Sequence, residues 1–214
     1  FSNGDVLSVY NDIIDEIEKS DLVFANLECP LTDQLTTIVK VGPALKADKS
    51  CINGIAPAIF DVIGLANNHI MDYGERGLID TLSVCSEHDI DTVGAGRNLQ
   101  EAGALLIKKV NNVRVGFWAM AEHEWSIAGE NSYGANPVDV INYIDMIKGY
   151  KDLYDFLIII IHGGKEHYPY PSPGLMKLCR FMATEGANAI ICQHTHIAGC
   201  YEIYNKIPII YGQG

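Results

Sequence analysis

Ala189-Ile190-Ile191-Cys192-Gln193-His194-Thr195-His196 is a short apolar run of strand type that ends in a His-x-His pair. In extended backbone successive side chains alternate sides, so residues two apart share a face. His194 and His196 are therefore expected to aim their imidazoles at one spot, and neutral imidazole is the commonest metal ligand. Alone, such a pair serves equally as a surface or hydrogen-bonding pair. The reading changes because three other predicted strands end in groups of the same kind. Asp21 to Glu28 reads as a buried strand finishing in Asn26 and Glu28, closed by Pro30. Asp61 to Ala66 runs straight into Asn67, Asn68 and His69. Asp155 to Ile161, the most apolar strand of the chain, delivers His162, followed by Gly163, Gly164, Lys165, Glu166 and His167. Sites in α/β folds lie beyond the carboxyl ends of strands.

Between these strands the spacing predicts helices over Val9 to Lys19, Gly74 to His88, Pro137 to Tyr150 and Pro173 to Gly186. The last has Pro at its start and Gly at its stop. Shorter strands are expected near Thr92 to Gly94, Ala104 to Val110 and Val113 to Ala119, with Asn111-Asn112 turning the last two into a hairpin. Cys200 to Tyr204 and Ile207 to Tyr211 form another. Alternating strands and helices with added hairpins give an α/β class with mixed sheets. Residues 29 to 57 read as irregular, and so long a loop in a compact domain tends to be functional.

The 214 residues suit one domain with a real core. No apolar run approaches the roughly 20 residues that span a bilayer. A net charge of -12 argues against nucleic acid, which needs clustered Lys and Arg. It leaves room for an anionic substrate, because a bound metal pair would be the largest local charge. Cys29, Cys51, Cys85, Cys179, Cys192 and Cys200 fall in no Cys-x-x-Cys spacing. Buried reduced thiols are expected, and with them a cytoplasmic setting. The alternative is an extracytoplasmic protein with an anchor upstream of residue 1.

Three histidines with Asn and Glu make a nitrogen and oxygen set, suited to Mn, Fe or Zn. Two such ions sharing a ligand would stand about 3.5–4 Å apart, the spacing of two-metal hydrolases. A histidine beside the leaving oxygen and off the metal serves as general acid. His69 is the candidate. Asn26, Asn67, His123, Lys165, Glu166 and His167 are the candidate substrate contacts.

The runs Ala25-Asn-Leu-Glu-Cys-Pro-Leu-Thr32, Leu65-Ala-Asn-Asn-His-Ile-Met-Asp-Tyr-Gly74, His162-Gly-Gly-Lys-Glu-His-Tyr168 and Gln193-His-Thr-His196 resemble the signature blocks of the CapA family. Gly94-Ala-Gly-Arg-Asn98 and Tyr211-Gly-Gln-Gly214 match further blocks. These are capsule-synthesis, poly-γ-glutamate-associated proteins of the calcineurin-like metallophosphatase superfamily. The resemblance implies a four-layer α-β-β-α sandwich of two mixed β-sheets flanked by helices, with a divalent metal centre of two ions at the strand ends. Carried over by position, Glu28, Asn68, His162, His194 and His196 would be ligands and His69 the acid. It also implies a role in making or releasing a capsule polymer, beside other capsule-synthesis proteins.

Two departures bear on that transfer. The family's first block is a strand ending in Gly-Asp; Gly4-Asp5 has the letters, but no strand precedes it, so that block is expected upstream of Phe1. The last block normally continues Gly-Asn-Phe, whereas the sequence stops at Gly214. The chain is therefore expected to be a single domain over 1–214, incomplete at both edges. Two functions stand against each other: a two-metal hydrolase of a phosphoester or an anionic-polymer amide, and a non-catalytic polymer-binding or assembly component on the same fold.

Overall fold

A computed structural model describes residues 9–55, 59–122 and 125–214. The Gly4-Asp5 pair and His123 lie outside them. In chain order the elements are a 3-10 turn (Asn11–Ile13), α1 (Ile14–Glu18), β1 (Phe24–Asn26), a 3-10 segment (Lys49–Ile55), β2 (Val62–Gly64), α2 (Gly74–Glu87), β3 (Asp91–Val93), β4 (Ala95–Gly96) and α3 (Leu99–Ala102). There follow β5 (Leu106–Val110), β6 (Val113–Ala121), β7 (Gly134–Ala135), α4 (Val140–Tyr150), β8 (Phe156–His162), α5 (Pro173–Glu185), β9 (Ala189–Gln193), β10 (Tyr201–Tyr204) and β11 (Ile207–Ile210).

The order of layers follows from the alternation of one strand. Along β6, Phe117, Ala119 and Ala121 enter one core, while Trp118 and Met120 enter another. The first core joins β6 and β8 to the parallel sheet β1-β2-β3, and it takes in Ile14, Leu78, Val84 and Cys85 from α1 and α2. The second buries Tyr143 and Met146 of α4 and Leu175, Cys179 and Met182 of α5 against β8, β9 and β11. Helices, small sheet, large sheet and helices are thus stacked as four layers. Each fully buried Leu, Ile or Phe here stabilises by about 1.5–3 kcal/mol relative to exposure. Gly94, at φ 92, sits between Ala66 and Ala119. A Cβ there would lie 2.6 Å from Ala66 Cβ and 2.8 Å from Ala119 Cβ.

The large sheet has the order β10-β11-β9-β8-β6-β5 and is mixed. β6, β8 and β9 run parallel, which puts Ala121, His162 and Gln193 in one row at its carboxyl edge. In the small sheet Asn26 pairs with Gly64 in parallel register, and Glu28 and Asn68, just past the ends of β1 and β2, lie 3.5 and 2.9 Å from His162 at the end of β8, so both sheets present their strand ends at the same edge. The predicted hairpin at Asn111-Asn112 forms with both residues at positive φ, 48° and 69°. α5 starts at Pro173 and is closed by Gly186 at φ 133, as its sequence predicts, and the Ser172 hydroxyl caps its first turn.

β1 is shorter and more exposed than its sequence predicts: three half-buried residues instead of eight. The Val23 N–H donates to Asp61 Oδ2 at 2.8 Å, a side-chain contact at the strand's start. The two-residue pair β4–β7, which buttresses the turn after Gly94, has no pattern of its own in the sequence.

Candidate metal centre

Glu28, Asn68, His162, His194 and His196 come from four separate chain segments and meet at the common strand edge. His162 is the last residue of β8 and is 2 % exposed. The loop behind it is clasped by Glu122, whose N–H donates to the His162 carbonyl at 3.0 Å and whose Oε2 accepts the Gly164 N–H at 3.1 Å. A Cβ on Gly163 would lie 2.5 Å from Glu122 Cγ, so that clasp needs glycine.

β9 stops at Gln193, so the histidines after it do not continue a strand. His194 and His196 have φ of 97° and 54°, and the facing His167 has φ 56°. The left-handed region is uncommon for residues other than glycine and costs of order 1–3 kcal/mol at each. Such strain concentrates where side chains must be aimed. The His167 N–H donates to the Thr195 carbonyl at 2.7 Å and the Thr195 hydroxyl to the Ile197 carbonyl at 3.0 Å, which ties the two loops together.

The distances at the centre fit a cation. His162 Nε2 lies 2.9 Å from Asn68 Oδ1, 3.1 Å from His194 Nδ1 and 3.5 Å from Glu28 Oε1. One imidazole nitrogen offers either one N–H or one lone pair, so at most one of those three contacts can be a hydrogen bond. Glu28 Oε1 is buried without a hydrogen-bond partner, although His196 Nε2 is 3.4 Å away. Ligand atoms of Glu28, His194 and His196 all lie within 4.8 Å of one another. Lone pairs gathered so closely, with an orphaned carboxylate oxygen among them, could hold a divalent metal.

The electrostatics agree. Burial, reinforced by His194, His196 and His69, pulls the His162 imidazole down to about 3, so it stays neutral with a lone pair to give. Burial raises the Glu28 carboxyl, against the opposing pull of His196, His194 and His69. Beside these groups opens a cavity of about 280 Å³ lined by Asn26, Glu28, Gln193, His194, His196 and Gln213. A larger cavity of about 560 Å³ lies between α3 and α4, over Trp118 and Met146. It has no imidazole in its wall, and we place no metal chemistry there.

His69 stands next to this centre with a partner that its sequence reading lacks. Its Nδ1 is 2.6 Å from Asp72 Oδ2, both side chains being buried. Asp72 Oδ2 also accepts the Leu45 N–H at 2.7 Å, and its Oδ1 is ion-paired to Lys40. Asp72 follows His69 by three residues, a spacing visible in the sequence. Lys40 gives no comparable signal.

The remaining candidates divide. The Asn26 amide donates to Glu28 Oε2 at 3.1 Å and so holds the carboxylate. Asn67 donates to the Leu27 carbonyl at 2.8 Å and accepts the His69 N–H at 3.1 Å, a bracing role behind the site. Glu166 Oε1 stands 3.8 Å from His194 Nε2, and the His167 ring is 6.1 Å from that of His196, so both edge the centre. Lys165 instead lays its ammonium over the Tyr168 ring at 5.3 Å.

Comparison with known proteins bears on the family and the fold. Two curated relatives are similar over almost the whole chain. The capsule biosynthesis protein CapA of Bacillus anthracis is 30% identical across 96% of this chain and 52% of its own length. The PGA biosynthesis protein CapA of Bacillus subtilis is 31% identical across 97% and 56%. The chain thus spans about half the length of these relatives. Among solved structures, a phosphatase from Mycoplasma pneumoniae superposes with a TM-score of 0.59 at 15% identity, covering 97% of this chain and 66% of that one. A 5'-nucleotidase precursor from Thermus thermophilus gives 0.51 at 13% identity, covering 76% and 34%. At such identities the likeness concerns the fold alone. The profile of the family described as bacterial capsule synthesis protein PGA_cap matches residues 2–214, and the chain belongs to that family.

Proposed function

We propose that this chain is a metal-dependent hydrolase serving capsule or poly-γ-glutamate biosynthesis, with a dinuclear centre at the strand edge. The observation that carries the reading is the crowding of His162 Nε2 by Asn68, His194 and Glu28 beside the unpartnered Glu28 Oε1. Glu28, His194 and His196 would hold one ion and Asn68 and His162 the other. Mn, Fe or Zn suits the donor set. When bound, such a pair polarises a substrate oxygen and makes hydroxide available near neutral pH.

The chain's own groups supply the rest. The His69 Nδ1–H donates to Asp72, which leaves Nε2 as the nitrogen that can take up a proton from solvent and pass it to the leaving oxygen. Asn26 keeps the Glu28 carboxylate turned toward the imidazoles. Glu166 and His167 edge the cleft where a substrate enters, and the Lys165 ammonium on the rim is the group that can meet an anion. The substrate class is a phosphoester or an amide of an anionic polymer, and the capsule-synthesis names of the relatives favour other capsule-synthesis proteins as partners.

The test combines metal analysis with turnover. Two equivalents of Mn, Fe or Zn per chain, with hydrolysis of an aryl phosphate or a γ-linked glutamate oligomer that chelator abolishes, is the expected result. Oligomer binding that survives chelator, with no turnover of either compound, would instead make the chain a polymer-binding component.

A further inference from the structure

Residues 33 to 46 lie in the long excursion between β1 and β2, and around Lys40 their polarity is inverted. Leu35, Val39 and Val41 are 88%, 102% and 80% exposed, while the Lys40 side chain, between two outward valines, is 4% exposed. Turning aliphatic groups to water and an ammonium inward is unfavourable twice over, and local conflicts of this kind mark function more often than packing. The buried ammonium pairs with Asp72 Oδ1 and stands 3.1 Å from His69 Nδ1, which gives its hydrogen to Asp72 over the shorter 2.6 Å contact and so accepts none from the ammonium. The same excursion is tied to Asp72 twice more: the Ile38 N–H donates to its carbonyl at 3.0 Å, and the Leu45 N–H to Oδ2.

From this geometry we propose that Lys40 is a positioning residue for His69. A carboxylate has two oxygens and can rotate to offer either. With Lys40 holding Oδ1, Oδ2 is fixed toward the imidazole, and the proton is held on Nδ1. Nε2 is then the nitrogen left free to take up a proton and pass it on. Lys40 acts through Asp72 and touches no reacting atom. The inference rests on the reading of His69 as the proton donor, and its test is separable from that reading.

The experiment compares wild type with Lys40→Met, Lys40→Gln and Lys40→Arg in the zinc-loaded chain. Two-bond proton–nitrogen NMR reads the His69 ring, assigned by its loss in His69→Gln. Wild type is expected to show a single pattern with the proton on Nδ1. The two uncharged variants should show the averaged pattern of mixed tautomers, and Lys40→Arg should restore the single one. In parallel, kcat on an aryl phosphate should fall at least tenfold in the uncharged variants, with KM and zinc content within twofold of wild type. An unchanged His69 pattern in Lys40→Met overturns the inference. So does failure of both uncharged variants to fold, since Lys40 would then be a stability element only. Averaged tautomers in a chain that turns over nothing even as wild type uphold the role of Lys40 and count against the hydrolase reading.

Discussion

Replacing Asp72 by Asn tests the buried network most sharply. Asp72 is fully buried and neutralises a Lys40 ammonium that is itself 4% exposed. Removing one partner of a buried ion pair costs about 3–5 kcal/mol, because the other charge stays behind unpaired. His69 Nδ1, 3.1 Å from the ammonium, can turn acceptor and take one of its hydrogens, which places the loss near the lower bound, about 3 kcal/mol. For 214 residues the unfolding entropy is about 0.45 kcal/mol per degree, so the melting temperature should fall by about 7 °C. Calorimetry of the chelator-treated protein reads this without interference from bound metal. The double variant Asp72→Asn with Lys40→Met should recover more than half of the loss, because no charge is left buried. A single variant that melts within 2 °C of wild type, or a double variant no better than the single, would refute the reasoning.

Other outcomes follow from the same geometry. His194→Ala should lose metal while His69→Ala keeps it and loses turnover; equal metal content in both, by elemental analysis, would show the roles misassigned. Gly94→Ala meets Ala66 and Ala119 at under 3 Å with φ 92, so it should cost about 3 kcal/mol by denaturant unfolding. The Arg114 guanidinium holds the Asp155 carboxyl at about 2 against an ordinary 3.8. A carboxyl depressed on folding adds stability that is complete above its unfolded value and lost as pH falls through the folded one. Asp155→Asn should therefore melt below wild type at pH 7, and the gap should close as pH drops from about 4 to about 2.

Most of the architecture was open to sequence reasoning because burial is periodic. β8 and β9 announce themselves as apolar runs, and α5 carries both its Pro start and its Gly stop. The meeting of His194 and His196 was legible for a reason that turns out incomplete. Alternation along a strand predicts a shared face, yet β9 ends at Gln193 and positive φ at both histidines aims the rings. No sequence pattern encodes that bend. Lys40 stayed hidden for the opposite reason: a lysine between valines reads as the solvated residue, and only the fold shows the valines outside. Asp72 sat in plain view three residues after His69, but which of several nearby acids faces that imidazole is a tertiary fact. The length of the 29–57 stretch reads as functional in the sequence, and the role proposed for Lys40 is the test of that reading.

The most direct test of a cation held by the strand-end imidazoles is anomalous diffraction from crystals grown with manganese. A peak bonded to Glu28, His194 and His196, adjoined by a second toward Asn68 and His162, is the result expected from their crowding. Crystals in which those side chains are well ordered, manganese is present and no peak touches Glu28 Oε1 would contradict it.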